Sequence, residues 1–420
     1  MKKSTLQILK YGSLLCFLIS GKVSFAQDNI VVASVAKPII KDEAIITQGD
    51  IAEAAVAKKA EAEEEDEPKL TFSGSVDTYF HSSFKTTNDY YGDAYAPSTS
   101  FADLKGFGLG MVNLITSYGG SKAGFTADIV LGPRGQAAVF GSASGQAIIN
   151  QAFAYYKFSD KVTLNMGQFN TFLGYEVISP TVNFHYSTSY LFSWGPFNHT
   201  GARLDFALDN GFVAKLAVMN PTDIVEFNPV NTYTLGAQIG KTTDAGGIWF
   251  NFLYGDQDGT LDADEVVAGD GSAGKLFQAD VTLGYNLSPK FYLGFNASTQ
   301  SVAVGEESDA NGNIVKAGGK ASSFLGFAVY PKITLTENFA IGARAEYFAI
   351  KNNHLDIIGL SEESGDGDVV EFTFSGNYKV GGLMIIPEVR FDKTSEKSFT
   401  LNNQSKDLMT TVTLAAVYKF

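Results

Sequence analysis

Four histidines, His81, His185, His199 and His354, are the side chains of this 420-residue sequence that titrate near neutrality, and two of them share a stretch with Ser187, Ser189 and Asn198. A Ser activated by a His is the composition of a hydrolase. No G-x-S-x-G elbow accompanies the set, and such neighbours are expected in any Ser-rich loop, so no catalytic residue is predicted. A second cluster, residues 254–265 (YGDQDGTLDADE), matches several positions of an EF-hand loop. It has Tyr254 where the first ligand belongs and a strand pattern before it. It reads as a solvated acidic loop, and neither a metal nor any cofactor is expected.

A third set is of another kind. Arg203 with Asp205, Arg344 with Glu346, and Glu388 with Arg390 are opposite charges two residues apart. In an extended strand such residues share a face. Charges of both signs along one wall make and break no bonds. They set a transverse field and a size filter for whatever passes. Glu176, His185, Tyr186, Tyr190 and Trp194 join them as candidates, because they fall in the most aromatic long loop, 172–200, whose rings offer a solute an apolar or stacking surface.

Such a wall needs strands, and the composition supplies them. The chain is rich in Gly (43) and in aromatics (13%), poor in Arg, and carries one Cys. Helical patterning is confined to one short stretch, and no apolar run approaches the roughly 20 residues of a spanning helix. A formal charge of −14 excludes nucleic acid as a partner.

The N-terminus reads as a secretory signal over 1–26, with Lys2, Lys3 and Lys10 before a short apolar stretch and small residues at Ser24 and Ala26. The lone Cys16 falls within it, behind a Leu that does not suit a lipoprotein signal. Residues 27–69 form an acidic, low-complexity leader, expected to lie in the periplasm as a solvated tether or docking segment, and ending in Glu63, Glu64, Glu65, Asp66 and Glu67.

From residue 70 to 420 the period is two. Residues 277–287 are typical: Phe277, Ala279, Val281, Leu283, Tyr285 and Leu287 face away from Gln278, Asp280, Thr282 and Asn286. About sixteen such segments are legible, starting near residues 70, 105, 122, 148, 161, 201, 212, 232, 247, 276, 290, 321, 339, 368, 383 and 407. Short connections alternate with long polar ones, the asymmetry of short periplasmic turns and long outer loops. The apolar face seldom carries charge, and aromatics near strand ends (Tyr155, Tyr156, Phe158, Tyr254, Tyr330, Tyr418) suit a headgroup girdle. The last segment closes on a terminal Phe420. The expected fold is all-β, a transmembrane antiparallel β-barrel of about 16 strands over 70–420. At that size the interior is an aqueous channel.

Gly167, Gln168 and Phe169 through Gly174, Tyr175 and Glu176, then Asn183, Tyr186 to Ser189 and His199 to Gly201, with the opening Ser73 to Asp77, resemble the beta-barrel porin-2 (OmpL-like) family. The resemblance covers most of 70–420 and implies a passive outer-membrane porin. The expected function is therefore diffusion of small hydrophilic solutes, with loop 172–200 as the constriction. Expected partners are outer-membrane lipid, lipopolysaccharide and those solutes, with a homotrimer as the assembly offered by analogy. The alternative is a structural barrel whose leader binds a periplasmic or cell-wall partner.

Overall fold

In the computed structural model, residues 69–88, 95–142, 148–257, 275–303, 307–308, 314–316, 321–352 and 365–420 are described. Sixteen strands make one closed barrel: β1 Lys69–Ser82, β2 Gly106–Gly119, β3 Ala123–Leu131, β4 Ile149–Ser159, β5 Val162–Asn170, β6 Asn198–Ala207, β7 Phe212–Met219 and β8 Thr234–Thr243. They continue with β9 Gly246–Asp256, β10 Lys275–Ser288, β11 Phe291–Val302, β12 Ser322–Thr336, β13 Phe339–Lys351, β14 Gly367–Val380, β15 Leu383–Thr394 and β16 Leu408–Lys419. Each strand pairs antiparallel with its sequence neighbours. Short turns, such as 160–161 and 381–382, alternate with long loops, such as 171–197. The observed starts match the periodicity closely. β6 departs most, opening at Asn198, because His199 and Thr200 still pair with β5.

Alternation decides which side each residue takes. Phe72, Phe107, Phe158, Met166, Leu216 and Phe372 stand exposed on the outside, while Asp77, Asp128, Asn251, Asp280 and Thr373 are buried on the inside. That is a soluble protein inverted, as a lipid-facing exterior requires. At membrane depth there is no water to satisfy an unpaired edge, so the sheet must close. Closure runs from Ser75 opposite Lys419 to Ser82 opposite Val412. Gly74 and Phe420 exchange both main-chain hydrogen bonds, at 3.1 and 3.0 Å. A Cβ at Gly74 would lie 2.4 Å from the Asn113 carbonyl oxygen and 2.8 Å from the Phe420 ring. Only glycine fits beneath the terminal aromatic.

The aromatic girdle needs two corrections. Tyr156, Phe158, Tyr254 and Tyr418 are exposed on the outer face. Tyr330 instead points inward and is buried, as an even-numbered residue of β12 alongside Phe324 and Ala328. Tyr155 shares the inward face of β4 with Lys157 and is half-buried. Both residues obey the strand period, which outranks their nearness to a strand end. The predicted signal, 1–26, the predicted leader, 27–69, except its last residue Lys69, and most of the acidic loop, 258–265, lie outside the described residues.

Candidate pore constriction

The connection between β5 and β6, residues 171–197, has no strand to pair with, so its main-chain polar groups need other partners. They find them on the inward faces of the barrel wall. Glu388 of β15 accepts from the N–H groups of Tyr186 (2.8 Å) and Ser187 (3.1 Å). Glu346 of β13 accepts from those of Tyr190 (2.8 Å) and Leu191 (2.7 Å). The loop's own Glu176 accepts from Ser189 N–H at 2.7 Å. Arginines take the carbonyls: Arg344 of β13 donates to Ser187 O at 2.9 Å, and Arg390 of β15 donates to Thr188 O at 2.7 Å. The backbone from 186 to 191 is thus held by fixed charges, each bond stronger than a neutral one.

The holding groups are themselves joined. Arg344 reaches Glu176 at 2.7 Å and Glu371 of β14 at 3.0 Å, and it donates to Thr373 Oγ1 at 3.1 Å. Arg390 pairs with Asp392 at 2.8 Å and lies 3.7 Å from Glu371. Arg344 and Glu371 are fully buried. A charge so placed is tolerated only when paired and hydrogen-bonded throughout, which is the case here.

Side chains of the loop reach the remaining wall. Tyr186 donates its hydroxyl to Asp77 of β1 at 2.5 Å. Gly174 N–H donates to Asp280 of β10, and Gln238 of β8 donates to Phe172 O. The Tyr175 ring stacks on Tyr330 at 4.1 Å, and its hydroxyl donates to that of Tyr292. Gly294 makes the room, since a Cβ there would stand 2.4 Å from the Tyr175 hydroxyl. Tyr190 and Leu191 complete an apolar cluster with Phe324, Phe348 and Ile350. His185 Nδ1 meets Ser375 Oγ at 2.8 Å, far in sequence from the serines beside it. Burial, then the Arg344 charge, holds its imidazole well below the ordinary value, so it stays neutral.

Glu176, His185, Tyr186, Tyr190, Arg344, Glu346, Glu388 and Arg390 therefore meet in one belt. Trp194 sits at its edge, its indole N–H donating to Ser98 O. Arg203 and Asp205 stand apart on β6, paired at 2.8 Å, with Lys215 at 3.6 Å and the guanidinium 4.6 Å from the Phe169 ring. Of the three expected same-face pairs, this one forms. In the other two the carboxylates bind loop N–H groups and the arginines bind Glu176, Glu371 and Asp392. The loop backbone, invisible to strand periodicity, competes for them.

Three members of the belt were not among the candidates. Glu371 and Asp392 lie on the inward faces of β14 and β15, where parity alone would find them. Arg134 is harder. It sits in a short helix, Pro133–Ala138, in the loop after β3, and donates to Ile178 O at 2.9 Å and Tyr186 O at 3.3 Å. Its only signal is that it is one of four arginines and the one in a loop.

Among solved structures, the barrel is similar to OmpT of Vibrio cholerae (TM-score 0.51, 10% identity) and to the outer membrane channel DcaP of Acinetobacter baumannii (0.52, 13%). It is also similar to Salmonella typhi OmpF in complex with daunomycin (0.52, 11%). Each comparison covers 85% of this chain and 99% of the other. At these identities the likeness is one of fold. No curated protein matches in sequence. The family model described as beta-barrel porin-2, OmpL-like matches residues 69–420, so the chain belongs to that family of porins and forms a channel in the outer membrane.

Proposed function

We propose that loop 171–197 is the constriction of this channel, and that small hydrophilic solutes diffuse past it under a filter of size and transverse charge. The observation that supports this is the grip of Glu346, Glu388, Arg344 and Arg390 on the backbone of residues 186–191. A loop held by charged groups from two wall strands keeps its shape as solute passes. The outward apolar faces meet outer-membrane lipid and lipopolysaccharide, and a homotrimer is the proposed assembly. No catalytic role is proposed for His185 or His199, each of which bonds a hydroxyl of the scaffold, Ser375 and Thr171.

The same burial favours one competing reading. Arg344, Glu371 and Thr373 have no exposed surface, as in a barrel that the loop closes at rest and whose duty is structural. Single-channel recording in planar bilayers separates the two. Stable openings in salt, enlarged when Arg344→Ala loosens the loop, support the constriction. A folded barrel that stays silent would sink it.

A further inference from the structure

Inward-facing charge is not spread evenly along the barrel. The carboxylates Asp77, Asp280, Glu346, Glu371, Glu388 and Asp392 sit among the loop contacts. Lysines occupy the periplasmic strand ends: Lys69 opens β1, and Lys157, Lys332, Lys379 and Lys419 lie near the ends of β4, β12, β14 and β16. Each shares the inward parity of its strand, with Asp77, Tyr155, Tyr330, Asn377 and Val417 respectively. Lys69, Lys379 and Lys419 are exposed, and Lys157 and Lys332 are half-buried. Among the described residues, no ion pair reaches Lys157, Lys332, Lys379 or Lys419. Lys332 lies over the Tyr292 ring at 4.8 Å.

The acids at this end are otherwise engaged or outside the lumen. Asp205 is bound by Arg203 and Lys215, and the Phe420 carboxyl accepts from Gly74 N–H. Asp160, Asp209, Asp244 and Glu337 lie in the turns, Asp209 pairing with Lys161 at 2.7 Å. A rim of such lysines, four of them with no ion pair among the described residues, calls for an anionic occupant.

One lies next to it in the chain. Glu61, Glu63, Glu64, Glu65, Asp66 and Glu67 precede Pro68, which joins directly to Lys69 on the rim. Seven extended residues span at most about 25 Å. A sixteen-stranded barrel measures about 30 Å across its backbone, from the strand spacing and tilt. The acidic run can therefore lie over the mouth and meet Lys419, on the strand next to β1, and Lys379, two strands further round the barrel. We infer that the acidic run 61–67 docks on the lysine rim of the periplasmic mouth and neutralises it, so that permeating ions meet the charges of the loop belt and not those of the rim.

The proposal extends the porin reading, and its first test does not depend on conduction. A Glu64→Cys, Lys379→Cys double variant, oxidised in outer membranes, should form an intramolecular disulfide whose yield falls severalfold between 0.05 and 1 M salt, because docking by exposed charges is screened. The control pair Glu64→Cys, Lys393→Cys, with its second cysteine at the outer end of β15, should not cross-link. Equal yields at the two salts, or at the two ends, overturn the docking. The second test reads the reversal potential in a salt gradient. Replacing the six acids by Gln or Asn should raise anion over cation permeability about twofold at low salt, and that rise should vanish when Lys157, Lys332, Lys379 and Lys419 are Gln. An unchanged ratio with the lysines in place overturns the neutralisation. A silent channel would count against the porin reading alone, and the cross-link would still decide the docking.

Discussion

Within the barrel, the positive charges of the loop belt are arginines, whereas those of the periplasmic rim are lysines. Arg134, Arg344 and Arg390 are buried, and each donates to loop carbonyls as well as holding an ion pair or an aromatic face. The rim lysines keep contact with water. The division follows the side chains. Guanidinium is flat, weakly hydrated and presents five donors, so it can leave water when several oxygens surround it, but an ammonium is compact and strongly hydrated. The belt spends its charge on holding a loop in place, whereas the rim keeps its charge at the water-filled mouth.

The sharpest way to break that contrast is Arg344→Ala. It strands Glu176 and Glu371 as buried carboxylates without their main cation, which should cost about 3–5 kcal/mol. Denaturant unfolding in detergent should register the loss, with new protease cleavage inside 171–197. If Arg344→Lys restores the wild-type midpoint, the argument from guanidinium geometry fails.

Asp223 offers a smaller effect of opposite sign. Its carboxyl accepts from Phe197 and Asn198 N–H at 2.9 and 2.8 Å, anchoring the return end of the loop. Although the residue as a whole is half-buried, the carboxyl is enclosed, and burial pushes it up to about 6, against the lowering by those two N–H groups. With the folded value above the unfolded one, its contribution to stability is present below about pH 4 and lost as pH rises through about 6. Asp223→Asn keeps the accepting oxygen and removes the ionisation. It should stabilise the barrel at pH 7 by no more than about 3 kcal/mol, reduced by the partial exposure, and flatten the pH profile of thermal unfolding between 4 and 6.

Tyr186→Phe removes one hydroxyl, and Asp77 keeps only its bond from Met111 N–H. A loss of about 1–3 kcal/mol is expected, read by the same denaturant titration. The rim should respond least. Lys379→Gln is expected to change stability by no more than about 0.5 kcal/mol, while shifting the reversal potential measurably. A large stability loss there would show that rim and belt are one structural unit.

Strand number, strand starts and the in–out sense of the wall were legible in the sequence because a period of two repeats over many residues and each membrane strand satisfies its backbone locally with its neighbours. Arg203 with Asp205 was legible for the same reason, since both atoms of the pair lie on one strand. The belt was legible only as a set of residues. That Glu346 binds Tyr190 and Leu191, and that Glu388 binds Tyr186 and Ser187, depends on where a non-periodic loop lies among strands more than 150 residues away.

The sequence by itself determined a barrel of about sixteen strands with a polar interior, a lipid-facing exterior and an aromatic loop suited to the inside. Tertiary structure alone decided which charges meet. Parity says that a residue points inward, but its height along the barrel and its neighbours around it are set by strand register and by the path of the loop. Those two quantities separate an arginine belt from a lysine rim, although both read as inward-facing cations along the chain.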